Sequence, residues 1–190
     1  MRLLALLLLL AACGSTPPPP PRDDAADVAI ASARDAVKEL GGTLKARLTA
    51  VMREGGPVAA LDVCSSEASD LTAQVNAKLG VRVGRATLKP RNPANAGPEW
   101  VQAWLEQAGA KPASEAMPVV EVVDTPGGRV AHVIKPIAIE APCLACHGPV
   151  EGLAPEIRAK LTAAYPQDQA TGYALGDLRG ALWAEAPVGK

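Results

Sequence analysis

The sequence predicts an α+β domain in which long helices come first and an antiparallel sheet follows. Three observations carry that prediction. Apolar residues recur every three or four positions through residues 24–79, the period of one helix face. Two β-branched runs, 117–123 and 129–139, flank Asp124-Thr125-Pro126-Gly127-Gly128, which has the chemistry of a hairpin turn. A further helix-like segment, 155–164, interrupts the strands before a last apolar run at 181–186. Segregated helices and strands of this kind read as α+β and not as alternating βαβ units.

The elements follow in order. Ile30, Ala33, Val37, Leu40, Leu44, Leu48 and Val51 form the stripe of a first helix over 24–53. Gly41 and Gly42 weaken its middle, each costing up to ~1 kcal/mol against alanine. Gly55-Gly56-Pro57 ends it, and Pro57 suits the first turn of a second helix. That helix, 57–79, carries Val58, Leu61, Cys64, Ala68, Leu71, Val75 and Leu79 on one face. Residues 81–88 alternate as a strand, a Pro- and Asn-rich loop follows, and 99–107 forms a short helix. Trp100 and Trp104, four apart on that helix, are core residues by their spacing.

Ahead of the domain, Arg2 and the leucine run from Leu3 to Leu10 read as an export signal, too short to span a bilayer of ~20 helical residues. Leu10-Ala11-Ala12-Cys13 resembles the lipobox of bacterial lipoproteins, which makes Cys13 the lipidated residue and the membrane a partner through that lipid. Five prolines, Pro17 to Pro21, then form a semi-rigid polyproline stalk. The organisation expected is a signal peptide over 1–12, a lipidated cysteine and stalk over 13–23, and one domain over 24–190. The location expected is the periplasmic face of a bacterial membrane, with the outer membrane favoured by Gly14 where an Asp would retain the protein at the inner one. A net charge of −1 leaves no basic footprint, so nucleic acid is not an expected partner.

The cysteines organise the chemistry. The chain has four. Cys143-Leu144-Ala145-Cys146-His147 spaces two thiols by one helical turn and follows them directly with an imidazole. That is the attachment motif of c-type haem: two thioethers to the vinyl groups and a proximal ligand, His147, to the iron. Export fits, because such haem is attached after secretion. One covalent haem c is the cofactor expected. It also suits a chain with no Phe and only 3% aromatic residues, whose core must otherwise be built from Ala, Val and Leu. A zinc site lacks a second Cys or His pair. Cys64 is left over. It faces the core from the second helix, and from spacing alone packing as a small hydrophobe is the simpler account. Met52, Met117 and His132, the last in a strand-like run, are the other candidates for a sixth iron ligand.

Three stretches carry a family resemblance. They are Thr87-Leu88-Lys89-Pro90-Arg91-Asn92-Pro93-Ala94-Asn95-Ala96 with Glu99-Trp100, the attachment motif, and Tyr165-Pro166-Gln167-Asp168-Gln169-Ala170-Thr171-Gly172-Tyr173 with Gly176-Asp177-Leu178-Arg179-Gly180-Ala181. Together they resemble a family of bacterial single-haem c-type proteins, long described as a domain of unknown function, over about residues 25–187. The resemblance implies a PAS-like sheet and ligation by the motif histidine and by a cysteine on an N-terminal helix, which assigns Cys64 as the distal ligand. Arg91 and Arg179 are candidates to pair with haem propionates, and Tyr165 and Tyr173 to donate hydroxyl hydrogen bonds to them. Gly172, Gly176 and Gly180 suit turns or close approach, and Asn92 and Asn95 tie down their own loop.

A His/thiolate iron is six-coordinate and low-spin, favours the ferric state, and has no open position for catalysis. The function expected is therefore non-catalytic: a redox sensor, or a sensor of a diatomic gas that replaces the thiolate on reduction. The alternative is a periplasmic electron carrier, and a haem peroxidase ranks third. A separate redox or signalling protein is the partner expected in either of the first two cases.

Overall fold

The computed structural model describes residues 22–189. The expected signal peptide, Cys13 and the five prolines lie outside the described residues. Helix α1 spans Asp24–Asp62, and its first turn is capped by Asp23, whose carboxylate accepts from the Ala26 N–H at 3.1 Å. Its direction changes at Gly56 (φ 70°, ψ −173°), so the break expected between two helices is present. A π-helical turn, Val63–Glu67, follows and leads into α2, Ala68–Leu79. Gly80, at φ 65°, closes α2 as a left-handed cap. The remaining elements are β1 (Arg82–Ala86), α3 (Glu99–Ala108), β2 (Val119–Thr125), β3 (Gly128–Ala138), α4 (Leu144–His147), α5 (Pro155–Ala164) and β4 (Leu178–Pro187).

The four strands form one antiparallel sheet in the order β1-β4-β3-β2. The last strand in sequence thus sits inside the sheet, pairing Arg85 with Leu182 on one side and Ile134 with Trp183 on the other. The β2–β3 hairpin turns where the Pro-Gly-Gly chemistry expected it, with Thr125 opposite Gly128. Each sheet face has its own cover. α1 and α2 bury Ala33, Ala36, Val37, Leu40 and Val75 against Val83, Ala131, Val133, Leu182 and Ala184. α3 packs Val101 and Leu105 against Ala86, Ile134 and Trp183 on the other face. A third cluster, Leu61 with Leu153, Ile157 and Leu161, joins the end of α1 to α5.

Gly41 explains why the first helix tolerates glycine in its middle. A Cβ there would stand 2.7 Å from the Leu182 methyl, so the missing side chain lets α1 sit closely on the sheet. Gly42 faces open space. The two glycines are therefore not equivalent, although the sequence reads them as a pair.

Gly42→Ala is expected to raise stability by ~0.5–1 kcal/mol, since it adds helix propensity at an exposed position. Gly56→Ala is expected to lower it by ~1–3 kcal/mol, because this backbone region is all but closed to residues with a Cβ. Urea unfolding followed by circular dichroism reads both, and equal effects would rule out the kink as a local constraint.

Candidate functional site

At one end of the α1 face of the sheet, the helices, the strand ends and the attachment turn enclose a cavity of about 240 Å³. Met52 reaches it from the long limb of α1, and Cys64 from the π-turn beyond the kink. Cys143, Cys146 and His147 enter from the turn after β3. Cys64 and the run Cys143 to His147, almost 80 residues apart in sequence, thus face one space. Arg85, Arg91 and Arg179 also line it, as do apolar walls that include Leu48, Leu61, Ile137 and Ile139. No aspartate or glutamate is among the described residues that line it.

His147 is the most tightly determined group. Its Nδ1–H donates to the Ala170 carbonyl at 2.6 Å, which fixes the tautomer and leaves Nε2 with a free lone pair. Burial, then the positive charges of Arg91 and Arg179, push the imidazole pKa down to about 3, so the ring is neutral at ordinary pH. A neutral ring with Nδ1 satisfied is the form that ligates a metal.

The Ala170 carbonyl is itself held in place. Asp168 accepts from the Ala170 N–H at 2.8 Å and pairs with Arg91 Nε at 3.0 Å. Arg91 Nη2 donates to the Cys146 carbonyl at 2.6 Å and to the Ala170 carbonyl at 3.3 Å. Backbone bonds from Gly172 to Gly148 and from Tyr173 to His147 zip the two segments together. The stretch 165–173 therefore serves the histidine, and Arg91 is the clamp between that stretch and the attachment turn.

Cys64 sits on a single π-helical turn, a local insertion that redirects side chains and often marks functional positions. Two exposed ion pairs flank the turn. Arg47 donates to Glu67 from Nε at 2.6 Å and from Nη2 at 2.8 Å, and Lys160 on α5 binds Asp62 at 2.7 Å. Such surface pairs contribute ~0–1 kcal/mol each, enough to bias the turn without locking it. Burial pushes the Cys64 thiol pKa up, opposed by Arg85, Arg91 and Arg179. Burial likewise raises that of Cys146.

The other candidates are distributed unequally. Arg179 lines the cavity, donates to Thr87 Oγ1 at 2.8 Å, and lies 5.5 Å from the Tyr173 ring centre. Tyr173 is outside the cavity lining and meets the His147 ring edge-on at 6.3 Å. Tyr165 packs with the α5 cluster and does not line the cavity. His132 is absent from the lining as well. It stacks on Trp100 at 3.9 Å on the opposite side of the sheet and lies 3.9 Å from Glu185. Met117 is 74% exposed and also lies outside the lining. Arg85 is the lining residue that sequence reasoning missed. The signal was present: Val81, Val83 and Arg85 share one face of a period-2 strand, so a charge falls on the apolar side.

The residues fit a flat, largely apolar, anionic macrocycle carrying a metal. Two thiols stand one turn apart, an imidazole offers its Nε2, a third thiol approaches from another element, and the charge of the walls is entirely positive. Among the described residues, no three His, Cys, Asp or Glu side chains converge closely enough to hold a bare metal ion.

Comparison with known proteins gives two matches of different kinds. The family model described as Tll0287-like matches residues 23–187. The crystal structure of the cyanobacterial heme-protein Tll0287 superposes with a TM-score of 0.50 at 27% identity, covering 67% of this chain and 75% of that one. No curated protein matches.

Asp168→Asn is expected to destabilise the fold by ~3–5 kcal/mol, because it leaves the buried Arg91 charge unanswered. Chemical denaturation measures this. A loss below ~1 kcal/mol, the range of exposed pairs, would show that the Arg91–Asp168 pair is not the clamp described.

Proposed function

The chain belongs to the Tll0287-like family, and on that premise we propose that it is a monohaem c-type protein working as an extracytoplasmic sensor of redox state or of a diatomic gas. The observation that carries this reading is the convergence of Cys143, Cys146, His147 and Cys64 on one cation-lined cavity. The likeness to a solved heme-protein supports it independently.

In this reading Cys143 and Cys146 would hold the haem through thioethers to its vinyl groups, His147 would ligate the iron through Nε2 with Nδ1 held by Ala170, and Cys64 would be a second iron ligand as a thiolate. The haem would supply one-electron chemistry and an exchangeable coordination position. What the chain supplies is position. The three arginines favour anionic groups in the cavity, and the apolar walls limit water.

A Cys64 thiolate on the iron would favour the ferric state. The π-turn supports a sensor because it gives Cys64 a segment with an accessible alternative, ordinary α-helical winding, into which it relaxes on release. Output then travels along the helix that carries it. A PAS-like description of the sheet, lipidation at Cys13 and a location at the periplasmic face complete the proposal. The half-exposed turn that carries Cys143, Cys146 and His147 favours electron transfer as the second reading.

Two spectroscopic outcomes are expected. The ferric protein shows a low-spin thiolate signature in electron paramagnetic resonance that Cys64→Ala abolishes. Persistence in the variant would remove Cys64 as the source of the thiolate signature and as the ligand. Carbon monoxide added to the reduced protein changes the visible spectrum if the thiolate is displaced. An unchanged spectrum with fast, reversible electron exchange favours the carrier.

A further inference from the structure

Positive charge in the cavity exceeds what its walls answer. Of the three lining guanidiniums, Arg91 is committed to Asp168 and to the carbonyls of Cys146 and Ala170. Arg179 gives Nη1 to Thr87 Oγ1 and to the Lys89 carbonyl, and its remaining face lies against Tyr173. Arg85 lines the cavity and has no hydrogen bond or ion pair among the described residues, and no carboxylate lies in the lining beside it. Burial disfavours its charged form. A partly buried guanidinium without a carboxylate carries a desolvation cost, which a group bound in the cavity would offset.

Its mounting is rigid. Arg85 is on β1, paired with Leu182 of β4, and Arg179 is on β4 three residues before Leu182. The two guanidiniums thus come from adjacent strands, a firmer base than the loop that carries Arg91. Gly180, next to Arg179, is kept without a side chain because a Cβ there would stand 2.2 Å from the Ala86 carbonyl. That close approach draws the Arg85 and Arg179 strands together.

We infer that Arg85 is the primary carboxylate seat of the cavity, pairing bidentately with one propionate of the bound haem while Arg179 flanks it. This rests on the haem reading above. It differs from the expectation drawn from sequence, in which Arg91 and Arg179 take that role. Arg91 has its fork occupied by the chain itself and acts as a positioning residue for His147.

The test uses the haem-loaded protein and its Arg85→Gln and Arg85→Lys variants. Resonance Raman scattering reads the propionate bending bands, and potentiometric titration reads the midpoint potential. Arg85→Gln is expected to shift the propionate bands and move the potential to a more negative value, since a cation that disfavours ferric iron is lost. Arg85→Lys is expected to restore most of the potential, because the charge returns. Its bands stay shifted, because the bidentate fork does not. Propionate bands that superimpose on wild type in both variants overturn the seat, whatever the potential does. If Arg85→Gln fails to load haem, Arg85→Lys alone decides by the same bands. A wild-type chain that carries no covalent haem when co-produced with the c-type maturation machinery fails at an earlier step. That result overturns the haem reading itself and the seat with it.

Discussion

One hydrogen bond organises the cavity: Nδ1–H of His147 to the Ala170 carbonyl. It decides which nitrogen points inward and at what angle, and it exists because a buried ion pair holds the acceptor still. Asp168 ties down the Ala170 amide, Arg91 binds Asp168, and Arg91 also reaches the Cys146 carbonyl one residue before His147. The loop is closed, so neither segment moves without the other. A buried ion pair is a poor source of net stability, and its retention here is better explained by geometry than by energy. It makes the orientation of one imidazole a property of the fold and not of the short α4 turn, which is too brief to hold a side chain rigidly by itself.

The opposite wall is built on different terms. Cys64 hangs from a π-turn after a glycine kink, flanked by exposed ion pairs and packed by Leu61 on the α5 cluster. The ion pairs of this side are solvent-screened and weak. The site thus joins a half held by a buried ion pair, carrying Cys143, Cys146 and His147, to a half whose ion pairs are exposed. That asymmetry is the physical basis for preferring a sensor to a carrier. An electron carrier gains from two rigid walls, because reorganisation slows transfer, whereas a sensor needs one wall that answers to the iron.

The sequence displayed the elements well because their signals are local. Period-3.6 stripes placed α1 and α2, the Pro-Gly-Gly turn placed the hairpin, and residues 155–164 match α5. It did not display the pairing of β4 between β1 and β3, which is a contact across the whole domain, nor the π-turn, which one residue of slack in a helix creates without any signature composition. At the site, the run Cys143 to His147 stood out because its spacing is local, and the fold brings it to the cavity. Cys64 was legible as an unexplained cysteine on a core-facing stripe. The tyrosines were weighed for the same role as Arg91 and Arg179 because residue type says what a side chain can bind and not what already occupies it. Arg91 shows this most clearly: a candidate for outside carboxylates that is engaged by an internal one.

The same logic separates the three arginines. A charged side chain on the apolar face of a strand carries a desolvation cost, and the fold must answer it with a partner, a change of protonation or a bound group. Guanidinium resists deprotonation, so the second route is closed. Arg91 takes the first route through Asp168, and Arg179 takes it in part through Thr87, Lys89 and Tyr173. Arg85 has only the third. The walls of this cavity are therefore charged in a way that suits a bound anion, and its apolar remainder suits an anion that belongs to something large and poorly soluble. Those two requirements meet in a macrocycle with carboxylate arms, reached from the cavity walls independently of the cysteine motif.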